Sequence, residues 1–376
     1  MKKSTRKHER GHQIMETIYP KLRKQLDQYS VGFPEAKSGV DLKILKKLYT
    51  EPEAELFLDL SMQLEDPVSV AGRTNRDAAE TAEMLETMAK KGLVFRKKKQ
   101  GTAYYAAIPF VIGSFEFQLN RMDKPFAQMV EAYFNEVYLH NLGDFLPPLR
   151  TIPVNHSIDA TQKVAPYSDA RAIIQSKDKI AIANCICRTQ NNLLEKGCGK
   201  PLEVCFVFGS HAEYYLDNKM ARQIDHDEAL AILDKCEEAG LVHQPANMIN
   251  PGGMCNCCGD CCGVLRALNK LPRPAEQVAN IYWASVDPER CTGCELCMER
   301  CQMQAIQLNE DQISTINTDR CIGCGLCVTS CPAEALSMVV KPEDKQMMPP
   351  ESGMDLMIKT AEKRGTSLIP LSMTEK

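Results

Sequence analysis

The pattern C-x2-C-x2-C-x3-C occurs twice, thirty residues apart, first as Cys291, Cys294, Cys297 and Cys301 and then as Cys321, Cys324, Cys327 and Cys331. The likeness runs past the cysteines. Arg290 matches Arg320, Gly293 matches Gly323, Leu296 matches Leu326 and Ala305 matches Ala335, so the segment holds two copies of one structural unit. All 18 cysteines of the 376-residue chain fall between Cys185 and Cys331, many only one to three residues apart, which makes pairing as structural disulfides hard. The basic first ten residues are followed by an amphipathic, charged stretch from Gly11 to Gln28, not by the apolar core of a secretory signal. A disulfide framework is therefore not expected, and a cytoplasmic, reducing setting is.

The repeat closely resembles that of bacterial two-cluster ferredoxins, in which the fourth cysteine of each copy ligates the other cluster. The resemblance implies two [4Fe–4S] clusters. Cluster I would take Cys291, Cys294, Cys297 and Cys331, and cluster II would take Cys321, Cys324, Cys327 and Cys301. No central position is Asp, which favours the full cubane over [3Fe–4S]. Gly293 and Gly323 suit a tight loop whose N–H groups face cluster sulfur. The family usually carries proline after the fourth cysteine. Pro332 obeys this and Gln302 departs from it, which bears on polarity and solvent access near one cluster and not on its ligation. Zinc in sites made wholly of thiolates is the competing reading of the repeat and does not account for the paired octets.

Upstream lie Cys185, Cys187, Cys198 and Cys205, then a dense run of Cys255, Cys257, Cys258, Cys261 and Cys262 framed by Gly252, Gly253, Gly259 and Gly263. Cys185-Ile186-Cys187-Arg188 follows an apolar strand, placing thiols at a strand end beside a fixed positive charge that offsets thiolate charge. A third iron–sulfur centre is expected here, from Cys187, Cys198 and Cys205 with members of the 255–262 loop. Adjacent cysteines such as Cys257 and Cys258 seldom bind one metal, so only a subset of the nine is expected to ligate it. A zinc site or a redox-active dithiol is the alternative. Cys236 follows Ala229, Ile232 and Leu233 on the apolar face of a helix and reads as core. His211, His226 and His243 read as surface or cap residues.

The rest of the chain is ordinary in composition: 25% charged, 44% hydrophobic and net charge −4, which points to neither a nucleic-acid coat nor a membrane surface. Its longest apolar runs, Tyr104 to Gly113 and Ile180 to Cys187, are too short to span a bilayer. The fold class is α+β and multidomain. We expect a basic helical segment over 1–39, a helix over Gln13 to Gln28 within it, and a winged-helix-like domain over 40–112. A linking helix and loop (113–164) lead to a cysteine-rich α/β middle domain (165–275). A ferredoxin-like dicluster domain (280–340) and a tail with a short helix (341–376) complete the chain. In the winged-helix-like part a helix capped by Thr74 or Asn75 runs to Lys91, and a hairpin with a basic turn follows.

Taken together these features resemble a group of iron–sulfur proteins of strict anaerobes, a resemblance that supplies an architecture and no catalytic residues. The expected function is an electron carrier, or the electron-transfer subunit of an anaerobic oxidoreductase, working with a redox partner protein. A reductase with its active site at the middle-domain centre is one alternative, and a redox-sensing DNA-binding regulator is another. DNA binding is disfavoured because the helix that would enter the groove carries Asp77, Glu80, Glu83 and Glu86. Arg76, Lys90, Lys91, Arg96, Lys97, Lys98 and Lys99 are the favourable charges. No nucleotide-binding or hydrolase motif is present. Oligomeric state, potentials and catalytic residues are left open by the sequence.

Overall fold

The computed structural model describes residues 18–141, 145–158 and 165–374, which divide into two compact units. One comprises residues up to Phe145 with those from Met357 onward, and the other is Leu146–Leu356. The start of the expected first helix and parts of the 113–164 segment lie outside the described residues.

In the first unit, helix α1 (18–27) buries Ile18, Leu22 and Leu26. Helix α2 is Val40–Leu48, and α3, Glu51–Asp59, opens with a capping box between Thr50 and Glu53. Helix α4, Pro67–Thr74, is capped by Asp66 and ends at Asn75 in the left-handed region. Helix α5, Ala78–Lys90, is capped by Asp77, whose carboxylate accepts the Ala79 and Glu80 N–H groups. The sequence had pointed to Thr74 or Asn75 for this cap. Those residues instead end α4, because a turn separates the two helices and Asp is as good a cap as Asn. Gly92, with φ of 75°, closes α5. Strands β1 (Phe95–Lys99) and β2 (Thr102–Ala106) form an antiparallel hairpin through Gln100 and Gly101, both at positive φ. A bridge between Glu65 and Tyr105 joins the segment before α4 to this hairpin. Helix α6, Lys124–Glu136, supplies the helical part of the linking helix and loop expected over 113–164.

The second unit opens with α7 (Ala170–Gln175) and then builds a five-stranded antiparallel sheet. The elements follow as β3 (Ile180–Asn184), α8 (Ile186–Leu193), β4 (Glu203–Phe208), α9 (Gly209–Asp217), β5 (Ala221–Ile224), α10 (His226–Glu238), β6 (Val242–Pro245) and β7 (Gly253–Cys257), with spatial order β5-β3-β4-β7-β6. One sheet face is apolar at alternate positions, as strand periodicity requires: Val204, Phe206 and Phe208 of β4 and Met254 of β7 share a core with Ile173, Ile174, Leu233 and Cys236. Cys236 is fully buried there, as its helical position implied. Helix α11, Gly263–Lys270, follows the thiol loop.

The repeat then gives β8 (Tyr282–Val286), α12 (Leu296–Arg300), β9 (Ile306–Leu308), β10 (Ser314–Ile316), α13 (Leu326–Thr329) and β11 (Leu336–Val340). Strands β8 and β11 pair, as do β9 and β10, so first and last strands close the unit on itself. The sheet and the repeat lie in the same compact unit. The segment around Pro272 and Pro274 is held down: Ala275 N–H donates to the Asp319 carbonyl, and Arg320 donates to the Leu271 carbonyl.

Two C-terminal helices complete the chain, α14 (Gly353–Arg364) and α15 (Leu371–Thr374). Within the first unit, Arg364 donates to the carbonyls of Asp27 and Ser30, and Leu371 N–H to the Gln25 side chain. No helix among the described residues is long and apolar enough to cross a membrane.

Candidate metal centres

Two cavities in the repeat each gather four cysteines from both copies. One is lined by Cys291, Cys294, Cys297 and Cys331, the other by Cys301, Cys321, Cys324 and Cys327. The backbone supports both by the same rule. Ala305 and Ala335 donate their N–H groups to Cys301 and Cys331 Sγ at 3.3 Å each, and Ser314 and Ala284 donate to Cys291 and Cys321 at 3.4 Å each. These are equivalent positions thirty residues apart, so the two copies hold their thiols by the same main-chain bonds. The Ser314 and Gly293 N–H groups draw the Cys291 thiol below its usual pKa, as groups that stabilise thiolate do. Gly293 and Gly323 have φ near 70°. A Cβ there would meet the Gln312 and Tyr282 carbonyl oxygens at 2.5 and 2.3 Å, so both close approach and handedness demand glycine.

The two halves differ in exposure. Thr292, Cys294, Glu295 and Leu296 are exposed, whereas Cys321, Ile322, Gly323, Gly325, Leu326 and Cys327 are buried. Residues 154–157 cover the second half: Val154 N–H donates to the Cys324 carbonyl, and a Cβ on Gly325 would strike Ser157 Oγ at 2.1 Å.

Gln302 holds the second cavity to the thiol loop. Its Oε1 accepts the Gly259 N–H at 2.7 Å, its carbonyl accepts from Asn269 Nδ2 at 2.9 Å, and its Nε2 donates to the Gly240 carbonyl at 3.2 Å. Proline, which follows the fourth cysteine of the other copy, has no side-chain donor or acceptor for these bonds. The sequence flagged Gln302 as a departure without assigning it a partner.

The nine upstream cysteines fall into two sets. Cys198, Cys258 and Cys261 have sulfur atoms all within 4.8 Å of one another, with Cys198 and Cys258 3.6 Å apart. The remaining six touch in series: Cys205 with Cys255, Cys255 with Cys257, Cys257 with Cys262, Cys262 with Cys187 and Cys187 with Cys185. Each adjacent pair sends one thiol to each set. Alternation along extended backbone explains the first pair: Cys255 and Cys257 share one face of β7, while Met254 and Cys258 lie on the core side. Cys262 stands at the N-cap position of α11, in extended backbone and with no side-chain capping bond. The structure thus puts Cys198 with Cys258 and Cys261 rather than with Cys187 and Cys205.

Arg188 lies beside both sets, 2% exposed, with its guanidinium donating to the Pro201 and Asn256 carbonyls at 2.8 Å each. Its Nε, also buried, has no hydrogen-bond partner among the described residues. Burial works against its charge, but the nearby Cys185, Cys258 and Cys257 outweigh this and hold its pKa above the ordinary value. A buried guanidinium facing thiols is the environment an anionic thiolate-bound centre needs. A Cys261 hydrogen bond and the Arg188 charge, against the opposing effect of burial, push the Cys258 thiol down to about 5.

His243, read from the sequence as surface or cap, is fully buried: its Nδ1 lies 2.6 Å from Asn256 Oδ1 and its Nε2 3.3 Å from Glu237 Oε1. Asn256 in turn donates to the Val204 carbonyl, fixing the strand that carries Cys255 and Cys257. All four residues of β6 are buried, so no period-2 alternation marked His243, and strand–strand register was needed to find its partners.

Residues 284–338 match a family model described as a 4Fe-4S dicluster domain, which establishes a ferredoxin-like iron–sulfur domain at that end of the chain. Comparison with curated proteins and with solved structures gave no match.

Proposed function

We propose that the chain is an electron-transfer iron–sulfur protein, a carrier or the electron-transfer part of an oxidoreductase, with two [4Fe–4S] clusters and a further centre in the sheet-bearing part. Cys291, Cys294, Cys297 and Cys331 hold cluster I, and Cys321, Cys324, Cys327 and Cys301 hold cluster II. The further iron–sulfur centre takes ligands from Cys185, Cys187, Cys205, Cys255, Cys257 and Cys262. When bound, such clusters supply reversible one-electron storage.

The observation that carries this reading is the Gln302 bridge. It follows directly on Cys301 and bonds the N–H of Gly259, within the thiol loop. The exposed loop around Cys294 offers a partner protein close approach to cluster I, and the buried second half leads inward. Arg188 supplies the compensating charge at the inner end.

Iron and acid-labile sulfide analysis of anaerobically purified protein, with EPR after dithionite reduction, tests the proposal. About twelve irons and twelve sulfides per chain, with a signal beyond those of the two ferredoxin-type clusters, are expected, on the basis of four of each per cubane. Near eight of each, with no additional signal, would confine the redox chemistry to the repeat. Cys294→Ser should cripple cluster I and leave the inner centre's signal intact.

A DNA-binding regulator is the second reading, favoured by the exposed Lys97, Lys98 and Lys99 on a hairpin that follows a helix-turn-helix arrangement. Against it, Arg96 is buried and committed to Glu86 at 2.7 Å, and Lys91 is paired with Glu53. The winged-helix-like part is better suited to docking a protein partner.

A further inference from the structure

We propose that Cys198, Cys258 and Cys261 form a second, separate inner site, which binds one tetrahedral zinc or ferrous ion through three thiolates and leaves its fourth position to a small exogenous donor. This deepens the reading above by dividing the nine thiols between a polynuclear centre and a mononuclear one.

Spacing is the first argument. Thiolates on one tetrahedral ion, with metal–sulfur bonds of about 2.3 Å, lie roughly 3.8 Å apart. The Cys198–Cys258 separation of 3.6 Å and the 4.8 Å limit over all three fit that value. Thiolates on different irons of a cube point outward from separate corners and stand farther apart. The quartets of the repeat behave so, and the other six upstream thiols touch only pairwise along a line: among the described residues, no other three cysteines have sulfurs all within 4.8 Å of one another.

The second argument is segregation. Cys257 and Cys258, and again Cys261 and Cys262, diverge to opposite sets, which a single centre would not require. A third is ligand count. No fourth His, Cys, Asp or Glu among the described residues joins the trio, and three protein ligands with a free position is the arrangement of zinc sites that bind a substrate or water. Soft thiolates in tetrahedral array select zinc or iron over harder ions. Cys258 and Cys261 are 1% and 2% exposed, while Cys198 is half-buried and gives the approach to the ion.

Acid-labile sulfide separates this site from a cluster, because a mononuclear ion carries none. Cys198→Ser and Cys258→Ser should each lose one zinc or iron per chain while sulfide stays at the wild-type value, with the ferredoxin EPR signals as the control for folding. Cys257→Ser should keep that ion and lose sulfide. Loss of sulfide with several irons in Cys198→Ser would overturn the proposal by placing the trio on a cluster. A wild-type sulfide content near eight would defeat the third iron–sulfur centre and leave this test intact.

Wild-type protein carrying cobalt(II) at the site gives a readout that needs no variant. Cobalt-edge X-ray absorption should show one ion per chain bound by three sulfurs and one lighter donor, the latter replaced by a fourth sulfur when a monothiol is added. Four sulfurs before any thiol is added, or no cobalt retained, would overturn it.

Discussion

At Gly323 the backbone leaves no room for a side chain, since a methyl would fall 2.3 Å from the Tyr282 carbonyl oxygen and φ is already +69°. The left-handed conformation alone costs an L-residue on the order of 1 to 2 kcal/mol, before any clash. Gly323→Ala is expected to lose cluster II selectively, read as about four fewer irons per chain with the cluster I signal retained. Glu53 illustrates a different residue-level effect. Burial opposes its ionisation, but hydrogen bonds from Lys91 and Thr50 win and lower its pKa from 4.5. A depressed carboxylate stabilises the fold above its unfolded pKa and loses that contribution as pH falls through the folded one. Local stability of α3 should therefore drop below about pH 4.5, and Glu53→Gln should be less stable at neutral pH and lack that acid-dependent drop. Hydrogen exchange of α3 amides, corrected for intrinsic rate, measures it.

At the scale of elements, the hairpin and α5 form one assembly through Glu86, which accepts from Arg96 at 2.7 Å and from Tyr105 at 3.0 Å. Arg96→Ala removes the buried partner of that half-buried carboxylate, leaving it Tyr105 and the exposed Lys90, and should destabilise the first unit by about 1 to 3 kcal/mol, whereas replacing exposed Lys97 or Lys99 should leave its thermal midpoint unchanged within about 2 °C. The same geometry removes two of the four acids once set against DNA, since Glu86 points into the fold and Asp77 is spent as a cap. It also removes Arg96 from the favourable side. Glu80 and Glu83 remain on the outer face of α5, and a mobility-shift assay with the operon's own upstream region at moderate salt is expected to show no specific complex. The helices, the hairpin and the first strands of the sheet were legible in local sequence, because periodicity and capping are short-range. The division of the nine thiols was not. Adjacent cysteines announce that two directions are served, but which partners lie there depends on the register of β4 against β7 and on the path of residues 185–198.

Across the second unit, the two copies of the repeat were readable as equals, and the structure makes them unequal. Arg290 pairs with exposed Glu334, while its counterpart Arg320 donates to main-chain carbonyls of Met303 and Leu271. Part of the difference is local, since Thr292 and Glu295 of the exposed copy stand where the buried copy has Ile322 and Gly325, and Gln302 stands where it has Pro332; the cover itself comes from the rest of the unit. The cover over Cys324 formed by Val154 and Ser157 has a consequence for survival in air. Molecular oxygen must reach a cluster to strip its iron, and the loop around Cys294 is exposed while its counterpart around Cys324 is mostly buried and partly covered by Val154 and Ser157. Bleaching should be biphasic, with cluster I destroyed first and its EPR signal lost before that of cluster II. Ser157→Gly, which thins the cover without touching a ligand, should bring the two phases together. On the proposed ligand assignment, a brief exposure to oxygen would then spend the outward cluster first and spare what the thiols deeper in the unit hold.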